Sequence, residues 1–377
     1  MVIKKGIISA IVGTLLAVGV TGNASAELGS CDVVGGGRGY TSPLLKSNAM
    51  NSVTANSFDE LKKYVEAGEK FIFIPSDVTI TVPNAQASLR IKSGQTIFGD
   101  RGIEGSQGAL LVTPYLNDEA NAYQIYELES NSRITGLRIQ GPSGETTTNS
   151  KTIGMQLVVD SSGIEVDNNE IYNWPWAGIS VKTSVANKIH HNFIHDNIRS
   201  ELGYGVVVQN GNAQAEIYCN TFNANRHSIA GKGDDGEGYY AHDNLILPDG
   251  ARGAYHQFDM HQGTQGHGGK YIIATNNIFD YGAYGTSNRG SIYIRGVPTD
   301  GPITVTDNIF TQGWAVGSQF AVGGVDGSVP GEDDIKATNS FSIKATYTQD
   351  TSGVCSINVG DSSLLVNCDS IASMLTQ

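Results

Sequence analysis

All eight histidines of this chain fall between His190 and His267. Imidazole is the side chain best placed to move protons near neutral pH. His190, His191 and His195 sit in or beside an Asn-containing bend, and His267 lies in a Gly-rich loop at 263–270, so these four read as turn residues. His227, His242, His256 and His261 remain, interleaved with Arg226, Tyr240, Asp259, Tyr293 and Arg295. Such a set suits proton abstraction beside a carboxylate. An Arg clamps the anion bidentately, an imidazole or phenol takes the proton, and a second acid protonates the leaving oxygen. On an acidic sugar that reaction is β-elimination. His261 or His227 is then the base, Tyr293, Tyr239 or Tyr240 the acid or base, and Arg226 with Arg295 the clamp. Asp259, His256, Lys182 and His242 are expected to contact substrate. Hydrolysis needs two carboxylates at a set separation, which Asp259 with Asp234 or Asp235 would supply. Asp234, Asp235 and Glu237 also make an acidic loop suited to Ca²⁺. The spacing His256-x-x-Asp259-x-His261 resembles zinc-ligand chemistry, but alternation on a strand offsets His256 from the other two.

The elements that position these residues are announced by a repeat. The phrase Asn-x-[Ile/Phe] recurs at Asn169, Asn192, Asn220, Asn244, Asn277, Asn308 and Asn339, in steps of 23 to 33 residues. Three residues before the first six stands a small or apolar side chain: Val166, Ile189, Ile217, Ala241, Ala274 and Val305. Between the phrases lie short β-branched runs at 177–182, 204–209, 226–230, 256–261, 291–295 and 319–322. Runs this short and alternating are strands. A period near 25 with several strands per turn fits stacked coils of a parallel β-helix, about 4.8 Å apart. Asn tolerates left-handed backbone angles and stacks as a ladder, which suits the bend. Aligned on the pairs Ile179/Val181, Val206/Val208, Phe258/Met260, Ile292/Ile294 and Phe320/Val322, the inward face is apolar. Lys182, Gln209, Asp259, His261, Tyr293 and Arg295 then point outward. Ile229 as the inward residue puts Arg226 and Ser228 outward and His227 inward, and a one-residue slip would reverse this.

Ser57-Phe-Asp-Glu60 is a capping box opening a helix with Phe58, Leu61 and Val65 on one side. It is followed by strand-like runs at 71–74, 78–82, 89–91 and 96–98, the last ending in Thr96-Ile-Phe-Gly99. This succession resembles the start of pectate-lyase-type right-handed β-helix proteins. The resemblance implies an all-β, single-stranded right-handed parallel β-helix over residues 57–341, closed by an N-terminal capping helix. It implies no catalytic residue: that family's Trp-x-Asp-His and Arg-x-Pro-x-x-Arg segments are missing, and Gly266-His267-Gly268 lacks the Asp pair of the polygalacturonase-like hydrolases.

Residues 1–26 read as a signal peptide: Lys4 and Lys5, an apolar stretch from Ile7 to Val20, then Ala24-Ser25-Ala26. The expected location is secreted or periplasmic, with residues 27–56 a loose leader and 342–377 a tail capping the last coil. Export permits disulfides; Cys355 with Cys368 is the expected pair, and Cys31 with Cys219 stays open. The formal charge of −13 becomes more negative once Lys4 and Lys5 are removed, which disfavours nucleic acid and anionic membranes. Glycine is abundant, 47 residues, as bends require, and only 16% of residues are charged. Most outward coil positions are therefore neutral, and the few charges between Arg226 and Arg295 stand out. The expected partner is a polysaccharide, met by a monomer. A polyanionic substrate would need a locally basic strip or Ca²⁺. The rival expectation is a non-catalytic glycan-binding surface protein, with Trp174 and Trp176 as sugar platforms.

Overall fold

The computed structural model describes residues 31–116, 123–143, 150–249, 256–280, 289–317 and 319–375. The expected signal peptide lies outside them. Among the described residues, short strands line up into three parallel sheets of ten, nine and ten strands. The chain visits the sheets in rotation. Glu165–Asp167 in the first sheet leads to Glu170–Tyr172 in the third and then to Ala177–Lys182 in the second. Each strand pairs in register with its counterpart one coil away, which is the architecture of a parallel β-helix.

The interior repeats as columns. Val166, Ile189, Ile217, Ala241, Ala274 and Val305 are successive partners in the first sheet and all are buried. These are the residues three before each Asn. The seven Asn side chains form one continuous ladder. Each Nδ2 donates to the Oδ1 of the next, from Asn169 to Asn339, at 2.9 to 3.2 Å. Each Oδ1 also accepts a backbone N–H of the preceding coil, as Asn220 does from Asn192. The oxygen and nitrogen of each ladder amide are thus both bonded within the protein. The left-handed backbone falls on the residue before the ladder Asn, not on the Asn itself: Asn168, His191, Cys219, Asp243, Asn276 and Asp307 have φ of 52 to 60°.

The helix Phe58–Ala67 begins at the N-cap expected, Ser57, with the return bond of the capping box shifted one residue back to Asn56. Ser57 Oγ accepts the Glu60 N–H, and Glu60 Oε2 accepts the Asn56 N–H. Phe58, Leu61 and Val65 join the apolar core with Ile72 and Ile91 of the first coil. The segment ahead of it is docked, not loose. Cys31 pairs with Cys219, and the Val34 N–H donates to Leu365 O. The C-terminal segment forms an antiparallel sheet of Ala345–Gln349, Cys355–Val359 and Ser362–Val366, with Cys355 joined to Cys368. Its Ile357, Val359, Val366 and Ile371 cover Leu245, Ile278 and Ile309 on the outside of the third sheet. The tail therefore lies along the flank of the coils, where an apolar outer column needs cover. Helix Glu332–Thr338 is the element beside the last first-sheet strand, with Ile335 in the core.

Candidate functional site

The second sheet carries the site. Its inward residues are those expected, Ile179, Val181, Val206, Val208, Phe258, Met260, Ile292, Ile294 and Val322, all buried in one core. Phe320 is the exception. It is 49% exposed and belongs to a local antiparallel pair, Ala315–Val316 with Gln319–Phe320, which takes it out of the coil register. On the outer face, Val207, Ala230, Asp259 and Tyr293 are successive partners. His261 and Arg295 follow Asp259 and Tyr293 on the same side, so these four of the expected outward set are brought together.

His227 corrects the expectation of an inward side chain. Its partner is Tyr204, which clusters with the outward Val207 and Ala230. The cause is a bend one residue later. Gly205, in the column before Ser228, would place a Cβ against Ile194 and Phe222 in the core. Ser228 is buried and its Oγ donates to Gln257 Oε1 at 2.7 Å. Ser228 and Ile229 thus both turn inward, and the alternation restarts with His227 outside.

Asp259 is the centre of the cluster and is fully buried. Arg295 holds it bidentately, Nε to Oδ1 at 3.0 Å and Nη2 to Oδ2 at 2.7 Å. His261 Nε2 lies 3.1 Å from Oδ2 and His227 Nε2 lies 3.4 Å from it. Burial alone would raise the Asp259 pKa, but the His261 hydrogen bond and the charges of His227, His261 and Arg295 hold it well below the usual range. Asp259 is therefore a permanent anion, with Arg295 as its fixed counter-charge. His227 Nδ1 bonds to the backbone carbonyl of His256, and burial pushes its pKa down to about 3. It is a neutral imidazole with its proton on Nδ1. His256 Nδ1 donates to Gly290 O at 2.9 Å, and its ring stacks on Tyr293 at 4.6 Å. Tyr204 stacks on His227, feels the charge of Arg226, and has a pKa raised chiefly by burial.

His261, like Arg295, is open to solvent, with its side chain 34% exposed. A loop contact fixes its backbone. Gly233 has φ +91°, and a Cβ there would sit 1.9 Å from His261 O, so only glycine lets loop 231–238 close against it. His267 Nδ1 to Asp235 Oδ1 at 2.6 Å ties this loop to loop 263–270. If Asp259 takes the proton of His261 Nε2, the Nδ1 lone pair is left for a ligand. That is the arrangement of an oriented general base.

Other expected residues lie elsewhere. Tyr240 and His242 are on Gly238–His242 of the first sheet, a different face, where His242 binds Glu216 and Asp243. Lys182 shares the second sheet but stands three strands from Phe258–Met260. Asp234, Asp235 and Glu237 do not converge on a cation. Asp234 pairs with Lys232, Asp235 with His267, and Glu237 is buried, accepting the N–H groups of Gly211, Gly233 and Asp234. Burial pushes Glu237 up to about 7. These carboxylates build the loop. The donors of His227, Asp259 and His261 lie within 4.8 Å of one another, close enough to hold a metal ion, although Arg295 already occupies both Asp259 oxygens. Trp174 is fully buried and donates to Ile139 O, so it is no sugar platform. Tyr204 was missed; alignment of the second strands on their first residues, Ala177, Tyr204 and His227, carries the signal.

Residues 115–246 match the family described as "Right handed beta helix region". No curated protein matches the sequence. Among solved structures, the crystal structure of an alginate lyase from Paenibacillus sp. str. FPU-7 is similar with a TM-score of 0.54 and 14% identity. That alignment covers 77% of this chain and 95% of the other. The Dettilon tailspike protein (gp208) aligns with a TM-score of 0.29 and 12% identity, over 81% of this chain and 76% of its own. The family match over residues 115–246, the alginate lyase structure and the sheet topology agree on the fold: the chain folds as a right-handed parallel β-helix.

Proposed function

We propose that this chain is exported and cleaves an acidic, uronic-acid-containing polysaccharide by β-elimination on the outer face of the second sheet. The observation that carries this reading is the Asp259–His261 pair, a buried anion orienting a solvent-facing imidazole, set beside Arg226 and Arg295. Arg226 and Arg295 outnumber the one carboxylate of the cluster, which gives a polyanionic substrate a cationic contact on a chain of net charge −13. In this reading Arg226 meets the uronate carboxylate and lowers the cost of carbanion character at C5. His261 Nδ1 takes the C5 proton, the C4–O bond breaks as the C4–C5 double bond forms, and Tyr293 gives its proton to the leaving oxygen. Asp259, Arg295 and His227 position the base. The two disulfides suit an oxidising compartment and support export. The long parallel face suits an extended polymer.

The hydrolase reading loses its support, because Asp259 is buried and paired and Asp234 and Asp235 are engaged elsewhere. A non-catalytic glycan binder remains the rival. The experiment is incubation with alginate, pectate and other uronate polymers, with and without Ca²⁺, following the ultraviolet absorbance of the unsaturated product. Absorbance growth supports elimination. Release of reducing ends without it points to hydrolysis, and binding without either product points to the glycan binder.

A further inference from the structure

The candidate site stands near one end of a longer face. Beyond Tyr293 the second sheet has one more strand, Val322–Gly324, and then ends. Towards the N-terminus it runs on through the strands that carry Ala230, Val207 and Ser180, which hold the position of Asp259 on the three preceding coils. The position of His261, two residues further along each strand, is held on those coils by Lys232, Gln209 and Lys182. The register follows from the His261 N–H to Gly231 O, the Lys232 N–H to Val208 O and the pairing of Gln209 with Lys182. Lys232 is bound to Asp234 at 2.6 Å. Lys182 is half-buried and enters no ion pair among the described residues.

The other edge of the face is apolar. Trp176, Gly203 and Arg226 take the same place on three successive coils, because the Tyr204 N–H donates to Trp176 O and the His227 N–H to Gly203 O. Gly203 leaves the middle place without a side chain. Trp176 and Leu202 pack on the outward cluster of Ala177, Tyr204, Val207 and Ala230. The short side chains at 207 and 230 are what they cover, and Asp259 takes that place on the next coil. Trp174 is fully buried and donates its indole N–H to Ile139 O, whereas Trp176 is only partly buried and its N–H meets no acceptor among the described residues. A partly exposed indole backed by apolar side chains is a stiff platform for the C–H face of a pyranose, with an N–H for a hydroxyl. Arg199, in the turn that carries Leu202, lies close enough to Tyr204 and Arg226 to feel their charges, so this edge carries cations as well.

Resting on the reading of this face as the polyuronate site, we propose that the polymer extends from His261 over the three preceding coils, with Trp176 stacking on a sugar ring and Lys182 pairing with a uronate carboxylate. Coils stand about 4.8 Å apart, which puts the strand of Lys182 about 14 Å from that of His261. That is a reach of several sugar units, so an oligomer short enough to fill only the cleavage point cannot touch Lys182. The face ends one strand beyond Tyr293, so the extra binding energy lies on the N-terminal side alone. Long chains are thereby held better than short ones.

Affinity electrophoresis of the full chain in gels containing alginate or pectate measures binding without relying on cleavage. Trp176→Ala should weaken binding about tenfold, as loss of an aromatic anchor does, and Trp176→Phe should keep most of it. Lys182→Ala should weaken it about threefold and flatten its dependence on salt, which Trp176→Ala leaves as it is. On polymer the effect of each falls on KM rather than on kcat, the mark of binding away from the reacting atoms. Lys182→Ala decides the matter if Trp176→Ala fails to fold. Weakened binding in the variants, with no unsaturated product from the parent chain, refutes elimination and leaves the extended binding face standing. Unsaturated product from the parent chain, with binding and KM unchanged in both variants, overturns the extended face and leaves elimination standing.

Discussion

Replacing Arg295 by Met strands a buried anion. Asp259 is fully buried, and both its oxygens accept from Arg295. Removing one partner of a buried pair costs about 3–5 kcal/mol, because the remaining charge has lost its compensation. Arg295 is 37% exposed, so water already screens the pair and the lower end, about 3 kcal/mol, applies. At about 2.1 cal/mol/K per residue, a chain of this length shifts Tm by about 1.3 °C per kcal/mol, giving a fall of about 4 °C. Adding Asp259→Asn removes the stranded charge. The amide can still face His227 Nε2, and the double variant should recover about half of the loss. The two substitutions are then strongly non-additive, by about 2 kcal/mol. Urea unfolding followed by circular dichroism, or calorimetry at fixed scan rate, measures all four corners of the cycle. Costs that add within about 0.5 kcal/mol would refute the view of Asp259 as a buried anion that depends on Arg295.

The ladder offers a second test. Asn220→Ala removes the acceptor for the Asn192 N–H and Nδ2 and the donor to Asn244 Oδ1, Ile189 O and Tyr218 O, all in a buried bend. It should cost about 3–4 kcal/mol, or about 5 °C in Tm, with the fold's circular dichroism unchanged below the transition. A third concerns acid. His227 titrates at about 3 in the fold and near 6.5 when unfolded, so the unfolded chain binds the extra proton between those values. Its contribution to stability is complete above about pH 6.5 and is lost as pH falls towards 3. His227→Gln should therefore flatten the acid side of a Tm-against-pH profile relative to the parent chain, and parallel profiles would contradict the burial of a neutral ring. Glu237 acts in the opposite sense. Its carboxyl is raised to about 7, so its contribution falls as pH rises from about 4.5 to 7, and Glu237→Gln should lessen that loss. An unchanged slope over that range would show Glu237 ionised throughout.

The coils were legible because their determinants are local and periodic. The Asn at each bend and the apolar residue three before it mark one column each, and both columns are continuous in the fold. The outward set Asp259, His261, Tyr293 and Arg295 followed from strand alternation. His227 did not, because a single bend at Ser228 resets the alternation without a sequence signature. Tyr240 and His242 look like neighbours of His261 in the sequence, yet one strand of a coil separates two faces. The acidic loop read as a cation site because the backbone N–H groups that occupy Glu237 are invisible in a sequence. The docking of the N-terminal segment was hidden for a similar reason. It depends on a disulfide spanning 188 residues and on three glycines at positive φ, Gly35, Gly36 and Gly37.

The central claim is that His261, oriented by Asp259, removes a proton from an acidic sugar. The most direct measurement is the rate of unsaturated-product absorbance on uronate polymers for the parent chain and for His261→Ala at matched folding. Growth of absorbance with the parent chain and its loss by at least about a hundredfold in His261→Ala, with Tm nearly unchanged, is the predicted result. Undiminished elimination by His261→Ala, or no unsaturated product from any uronate polymer, would contradict it.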